Sequence, residues 1–170
     1  MHALHESAGS PTHILQEIAE RSDALSAELG RPLSLIAESD LNDVDVVAPT
    51  SQGGWGMTAQ WDDDIHHALH VALTGEDHGY YTDFAGGTGR EEAGPLGVLA
   101  KVLTRGFLHV GTISTFRGRP WGRPVDTEAV DARRLLGYLQ THDQVGNRMA
   151  GDRISALLAP GAQAAGAALY

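Results

Sequence analysis

The stretch Leu136–Ile154 reads LGYLQTHDQVGNRMAGDRI and decides how the rest of the chain is read. An apolar segment, Leu135 to Gln140, has the length and character of a strand, and it stops abruptly at Thr141-His142-Asp143-Gln144. A carboxylate at a strand end is either a helix cap or part of a reactive site. Capping gives Asp143 little to do if the next helix begins near Arg148, because Asn147 is then the natural cap. His142 and Asp143 are therefore left without a local structural task.

Working outward, the same pattern recurs twice. Leu33 to Ala37 is a short continuous apolar run, as expected of a parallel strand buried on both faces, and it ends at Glu38-Ser39-Asp40. "WGMTAQW", Trp55 to Trp61, follows Gly53-Gly54 as a second strand and runs into Asp62-Asp63-Asp64. Between and around these strands lie helical patterns. Ser10 and Pro11 suit a helix start, with Ile14, Leu15, Ile18, Leu25 and Leu29 at helical spacing before Gly30 and Pro32. "DDDIHHALHVALTGE" carries its acids in the first turn, where the helix dipole favours them, and ends at Gly75. Residues 85–93 form a Gly-rich loop, and "PLGVLAKVLTRGFLH" is a further helix with Pro95 near its start. Residues 114–130 read as irregular, with Pro120 and Pro124 as breakers. Strands alternating with helices predict an α/β fold with a parallel sheet, in which chemistry gathers at the carboxyl ends of the strands.

Composition narrows the classes of function. The chain has 170 residues, enough for one domain with a core, and a formal charge of −10. That charge repels phosphate backbones, and no basic stripe with interleaved aromatics offsets it, which argues against nucleic-acid binding. The absence of cysteine removes disulfides and thiolate zinc sites and suits a reducing cytoplasm. No apolar run approaches the roughly 18–20 residues that span a bilayer, and the N-terminal stretch lacks the basic and apolar regions of a signal peptide. A soluble, cytoplasmic chain with no membrane partner is expected.

Three polar clusters compete with plainer readings. Glu38 is a solvated loop carboxylate or a proton donor at the sheet mouth. In "QWDDDIHHALH", Asp62 to Asp64 are ordinary first-turn residues, and at least one histidine is packed. A metal site on His66 and His70, spaced i, i+4, is weakened because residue 67 is His where the zinc-protease helix motif has Glu. A sugar-binding reading fits as well, with Trp61 as a stacking face and Asp or His bonding hydroxyls. Paired carboxylates at separate strand ends, Glu38 and Asp143, are what acetal cleavage requires: one donates a proton and others stabilise positive charge at the sugar carbon.

"IAESDLND", "AQWDDDIHHALHVALTGEDHGYYTDF" and "THDQVGNRMAGDRI" together resemble the malto-oligosyltrehalose trehalohydrolase family of the α-amylase superfamily, glycoside hydrolase family 13. The resemblance covers nearly the whole chain and is weakest over residues 85–134. It implies a (β/α)8 TIM barrel enzyme that cleaves, with retention and no cofactor, the α-1,4 bond next to the terminal trehalose of maltooligosyltrehalose. Glu38 matches the general acid/base at the end of strand 5, and Asp143 the transition-state-stabilising carboxylate after strand 7. His142 and Gln144 neighbour it as substrate contacts, and Asp63, Asp64, Ile65, His66 and His67 match the substrate-contacting stretch after strand 6, with Trp61 kept beside them as the stacking face. Thr141 stands where the family usually has Asn.

His2 aligns with a substrate-contacting family histidine in "DAVHAL", and the nucleophilic Asp of that motif would fall two residues before Met1. Residues 1–170 are accordingly expected to be a partial catalytic barrel, about strands 5 to 7 with their helices, lacking strands 1–4 and strand 8. Met1 at a Val position suggests an internal start codon. Such a piece is expected to be inactive and prone to aggregate, since barrels typically take about 200–250 residues and closure removes sheet edges. Turnover of maltooligosyltrehalose by the purified 170-residue chain would contradict this. The readings left beside it are another superfamily enzyme (a branching enzyme or amylase), a non-catalytic α-glucan-binding remnant, and a metal-dependent hydrolase on His66 and His70. Oligomeric state is not readable.

Overall fold

The computed structural model describes residues 9–86 and 92–169. In chain order these give α1 (Ile14–Leu29), β1 (Ile36–Ser39), β2 (Ala59–Asp62), α2 (Asp63–Thr74), α3 (Gly94–Arg105), β3 (Thr112–Ser114), β4 (Arg119–Trp121), β5 (Leu135–Leu136), α4 (His142–Gly146) and α5 (Pro160–Ala168), with short 3-10 segments between. Strands β1, β2 and β5 form a parallel sheet with β2 in the centre. The α/β class and the parallel sheet expected from the strand–helix alternation are both present.

Register sets the site. Glu38 pairs with Trp61, and Trp61 pairs with Leu136, so these three share one face of the sheet. Ala37 lies on the other face and packs with Ala19 of α1 and with Val46, Val47 and Met57. A larger core joins α2 to α3 through Ala68, Leu69, Val71, Val98 and Val102, closed by Tyr81, Phe84 and Leu108.

Several expected boundaries move, each for a visible reason. Helix α1 starts at Ile14 rather than Pro11: His13 is the cap, its Nδ1 accepting from the Leu15 N–H at 3.2 Å while its ring stacks on Trp55 at 3.9 Å. Its end at Gly30, in the left-handed region, is as expected. The first strand begins at Ile36, not Leu33, and is covered on one face only, since Ile36 is 50% exposed. Trp55 and Met57 do not enter the second strand; their N–H groups go to the carbonyls of Asp45 and Val46 in a compact turn. The third strand is two residues long, and residues 137–140 leave the ladder.

The largest correction falls on the opening stretch. No helix starts at Arg148. Thr141 caps α4, its hydroxyl accepting from the Asp143 N–H at 3.3 Å, while the Gln144 side chain returns to the Thr141 N–H at 2.7 Å. This is a capping box, and Asn147 sits at the C-terminal end of the helix rather than its start. Residues 114–130 are also more ordered than expected, because β3 and β4 pair antiparallel from Thr112–Trp121 to Ser114–Arg119.

Candidate active site

A cavity of about 610 Å³ opens where the carboxyl ends of β1, β2 and β5 converge. Glu38, Trp61, Asp63, Asp64, His67, His142, Asp143 and Gln144 all line it. Ile65 and His66 do not: Ile65 belongs to the core between α2 and α3, and His66 is fully buried. The helical repeat explains this: Asp63, Asp64 and His67 stand at i, i+1 and i+4 on one face of α2, and Ile65 and His66 at i+2 and i+3 fall on the other. His2 lies outside the described residues.

Helix α2 builds one wall. Asp62 caps it, Oδ1 accepting from the Asp64 and Ile65 N–H groups at 3.0 and 3.2 Å. Burial, the Asp64 charge and the Asp63 charge push the Asp62 carboxyl well above the usual carboxylate range. Asp64 is also buried, which raises its carboxyl to about 6 against the Leu108 N–H and the Asn42 amide that donate to its Oδ2 at 2.7 and 2.8 Å. Asp63 is reached by the Tyr138 hydroxyl at 2.5 Å; burial first and that carboxylate second hold the phenol protonated. Tyr138 stands edge-on to Trp61 at 5.5 Å, giving the sheet mouth an aromatic corner.

Beneath this wall the histidines are neutral. His66 donates from Nδ1 to the Leu139 carbonyl at 2.7 Å, accepts from the Tyr81 hydroxyl at 3.2 Å, and stacks on Tyr138 at 4.9 Å. Burial lowers its pKa to about 4. His67 is pushed well below the ordinary histidine range first by burial, then by the repulsion that protonating it would meet from His66 and Arg117, so it meets the cavity as a neutral ring. His70 donates to Glu76 at 2.7 Å, and Glu76 is gripped through both oxygens by Arg148 at 3.0 Å each. With His66 engaged at Leu139 and Tyr81, and His70 at Glu76, the i, i+4 pair is a packing device. Among the described residues no group of three or more His, Cys, Asp or Glu side chains is arranged to hold a metal ion.

The opposite wall differs. The His142 side chain is 93% exposed, 3.5 Å from the half-exposed Asp143. Arg148, just past α4, ties this segment to α2 through Glu76 and adds an ion pair with Asp152 at 2.6 Å. No described helix is long and apolar enough to cross a membrane.

The third wall escaped the sequence reading. Ser114, Phe116, Arg117 and Trp121 line the cavity from the β3–β4 hairpin, and Tyr80, Asp83, Phe84 and His109 do so from segments beside α2 and α3. Arg117 lies over the Trp121 ring at 4.3 Å and is ion-paired to Asp40, while the Trp121 indole N–H donates to the Asp40 carbonyl at 2.8 Å. Gly122 has no room for a side chain: a Cβ there would come within 1.9 Å of the His109 carbonyl oxygen. Gly118 and Gly122, both with positive φ, were the available turn signals for this hairpin.

Comparison with known proteins bears on what this arrangement is. No family model matches the chain. Malto-oligosyltrehalose trehalohydrolase of Arthrobacter ramosus is 51% identical over 169 residues, covering 99% of this chain and 27% of that protein. The Mycobacterium tuberculosis enzyme of the same name is 51% identical, with 99% and 27% covered. That of Saccharolobus solfataricus is 39% identical over 173 residues, with 100% and 27% covered. A crystal structure from Salmonella typhimurium, assigned as an alpha amylase, superposes with a TM-score of 0.71 at 37% identity, over 89% of this chain and 24% of that one. The chain thus spans 27% of the length of these curated relatives. Their likeness extends through the strand ends and cavity walls described above, and by sequence the chain is a relative of the malto-oligosyltrehalose trehalohydrolases.

Proposed function

We propose that the cavity is the catalytic centre of a retaining glycoside hydrolase that cuts the α-1,4 bond next to the terminal trehalose of maltooligosyltrehalose. In this reading the surrounding elements are strands 5 to 7 of a (β/α)8 barrel, with residues 1–170 as one partial catalytic domain acting on α-glucan in a reducing cytoplasm. The observation that carries it is the convergence on one cavity of Glu38, in the outer strand β1, and Asp143, in α4 beyond the other outer strand β5.

Glu38 acts as general acid, passing its proton to the glycosidic oxygen as the bond to the anomeric carbon breaks. Asp143 faces the positive charge that develops on the sugar ring. The glycosyl-enzyme ester requires a nucleophilic carboxylate that this reading assigns to none of the described residues, so residues 1–170 alone are expected to complete no turnover; where that carboxylate is supplied, it attacks the anomeric carbon as the bond to the leaving oxygen breaks. Glu38, now ionised, takes a proton from water, which attacks the same carbon and releases the sugar with net retention. Trp61 offers its ring to a sugar face, and Asp63, Asp64, His67, His142 and Gln144 meet hydroxyls. Because Tyr138 orients Asp63, and Asn42 and Leu108 orient Asp64, these contacts are set before substrate arrives.

The test is product analysis on maltooligosyltrehalose with residues 1–170 alone, with the Arthrobacter ramosus relative carrying residues 1–170 in place of its matching segment, and with the Glu38→Gln variant of that hybrid. Free trehalose is expected from the unsubstituted hybrid only. Release of only glucose or maltose would favour an amylase, and a rearranged glucan a branching enzyme. Full activity in Glu38→Gln would refute the assignment of the acid.

A further inference from the structure

Asp83 sits in the 3-10 segment Gly79–Ala85, is 2% exposed, and lies 32 positions before the residue it holds most closely. Its Oδ1 accepts from the Thr115 hydroxyl at 2.6 Å and its Oδ2 from the Thr115 N–H at 2.8 Å. The ring of His109, equally buried, brings Nε2 to 3.0 Å from Oδ2, and its Nδ1 is 3.1 Å from the Thr112 hydroxyl. One carboxylate thus grips the turn between β3 and β4, and its neighbouring histidine meets the start of β3.

Thr115 itself is exposed, and so are its neighbour Phe116 and the strand residues Thr112 and Ile113. A three-residue hairpin with so little apolar burial has no core of its own to fix its position. Yet Phe116, Arg117 and Trp121 line the cavity only while this hairpin is held against it. Other ties reach Asp40 from Arg117 in the same turn and from Trp121 in β4. Asp83 holds the turn at its start, and two charge-assisted hydrogen bonds to a buried carboxylate are strong for their number.

We infer that Asp83, through Thr115, is a positioning residue that locks the β3–β4 hairpin against the cavity and thereby sets how tightly substrate is held. Asp83 acts on substrate through the hairpin, so its loss weakens binding while proton transfer at Glu38 persists. The part of this inference that concerns substrate rests on the proposed glycosidase reading; the lock does not.

Two measurements separate the parts. Thr115→Val removes the hydroxyl from an exposed position and leaves the backbone donor; Thr115→Ser keeps both; Asp83→Asn removes the charge. Amide hydrogen exchange over residues 111–121 is expected to rise about 10-fold in Thr115→Val and more in Asp83→Asn, with Thr115→Ser at the wild-type rate. In the hybrid that carries residues 1–170 within the Arthrobacter ramosus relative, KM for maltooligosyltrehalose is expected to rise about 5-fold in Thr115→Val with kcat within about 2-fold, and serine restores it. Unchanged exchange in both Thr115→Val and Asp83→Asn overturns the lock. Faster exchange with unaltered KM, or kcat falling in step with KM, overturns the positioning role. Absence of turnover in the unsubstituted hybrid refutes the glycosidase reading instead, and the exchange data then decide the lock alone.

Discussion

Two walls of the same cavity treat their ionisable groups in opposite ways. Along α2, Asp62, Asp64 and His66 are withdrawn from water, and burial moves each toward its neutral form. Across the cavity, His142 and Asp143 stand at the start of a five-residue helix, in solvent, held by a capping box and by Arg148. The buried wall determines shape; the exposed wall keeps His142 and Asp143 open to whatever enters the cavity. On the proposed glycosidase reading, the first orients the sugar and the second meets the positive charge that develops on it.

The comparison can be broken most sharply at the exposed wall. On the proposed glycosidase reading, Asp143→Asn in the hybrid with the Arthrobacter ramosus relative should leave the fold intact and lower kcat on maltooligosyltrehalose about 1,000-fold, or about 4 kcal/mol of barrier. A variant that keeps wild-type kcat would remove Asp143 from the chemistry. At the buried wall the same kind of change should act on stability instead. His66→Ala removes the ring stacked on Tyr138 and the partners of the Leu139 carbonyl and Tyr81 hydroxyl. A loss of about 3 kcal/mol in urea denaturation is expected, against under about 0.5 kcal/mol for His142→Ala.

Acid offers a finer cut. An unfolded histidine binds its proton near 6.5, whereas folded His66 resists until about 4. Between those values the unfolded chain is the more protonated state, so the contribution of His66 is whole above 6.5 and is lost as pH falls toward 4. Asp64, raised to about 6, has the opposite sign over part of the same window, so the wild-type profile alone mixes the two. The stability gap between wild type and His66→Gln isolates the histidine and should narrow by about 3 kcal/mol from pH 7 to pH 4. A gap independent of pH would mean that His66 is not held neutral. Smallest of all, Glu76→Gln should cost about 1 kcal/mol, because the Arg148 pair is partly exposed and screened. That loss should diminish in high salt.

How much of this was legible in the chain follows the same division. Helix α2 could be read because its signals are local: acids in the first turn, apolar spacing, and Gly75 at the end. Glu38 could be read because an apolar run stops there. The exposed wall was half legible. Its residues were identified, but the Thr141–Gln144 capping box was passed over in favour of Asn147, although the Thr-x-x-Gln spacing was present. The hairpin wall was not legible, since three-residue strands show too little alternation to register and Pro120 argues against a strand. What fixes it, Asp83 on Thr115 and Asp40 on Arg117, joins segments 32 and 77 positions apart. Burial was misjudged for Ile36, because an apolar run specifies a strand but not what covers each face.

Gly122 gives the hairpin wall a mutational signature. Its positive φ already disfavours side chains, and the His109 carbonyl occupies the place where a Cβ would stand. Randomising this codon and selecting for folded, substrate-binding protein should return glycine, while the exposed neighbours Arg119 and Pro120 accept many residues. A cavity wall carried by a largely exposed hairpin thus has its narrowest tolerance at the residue with no side chain at all.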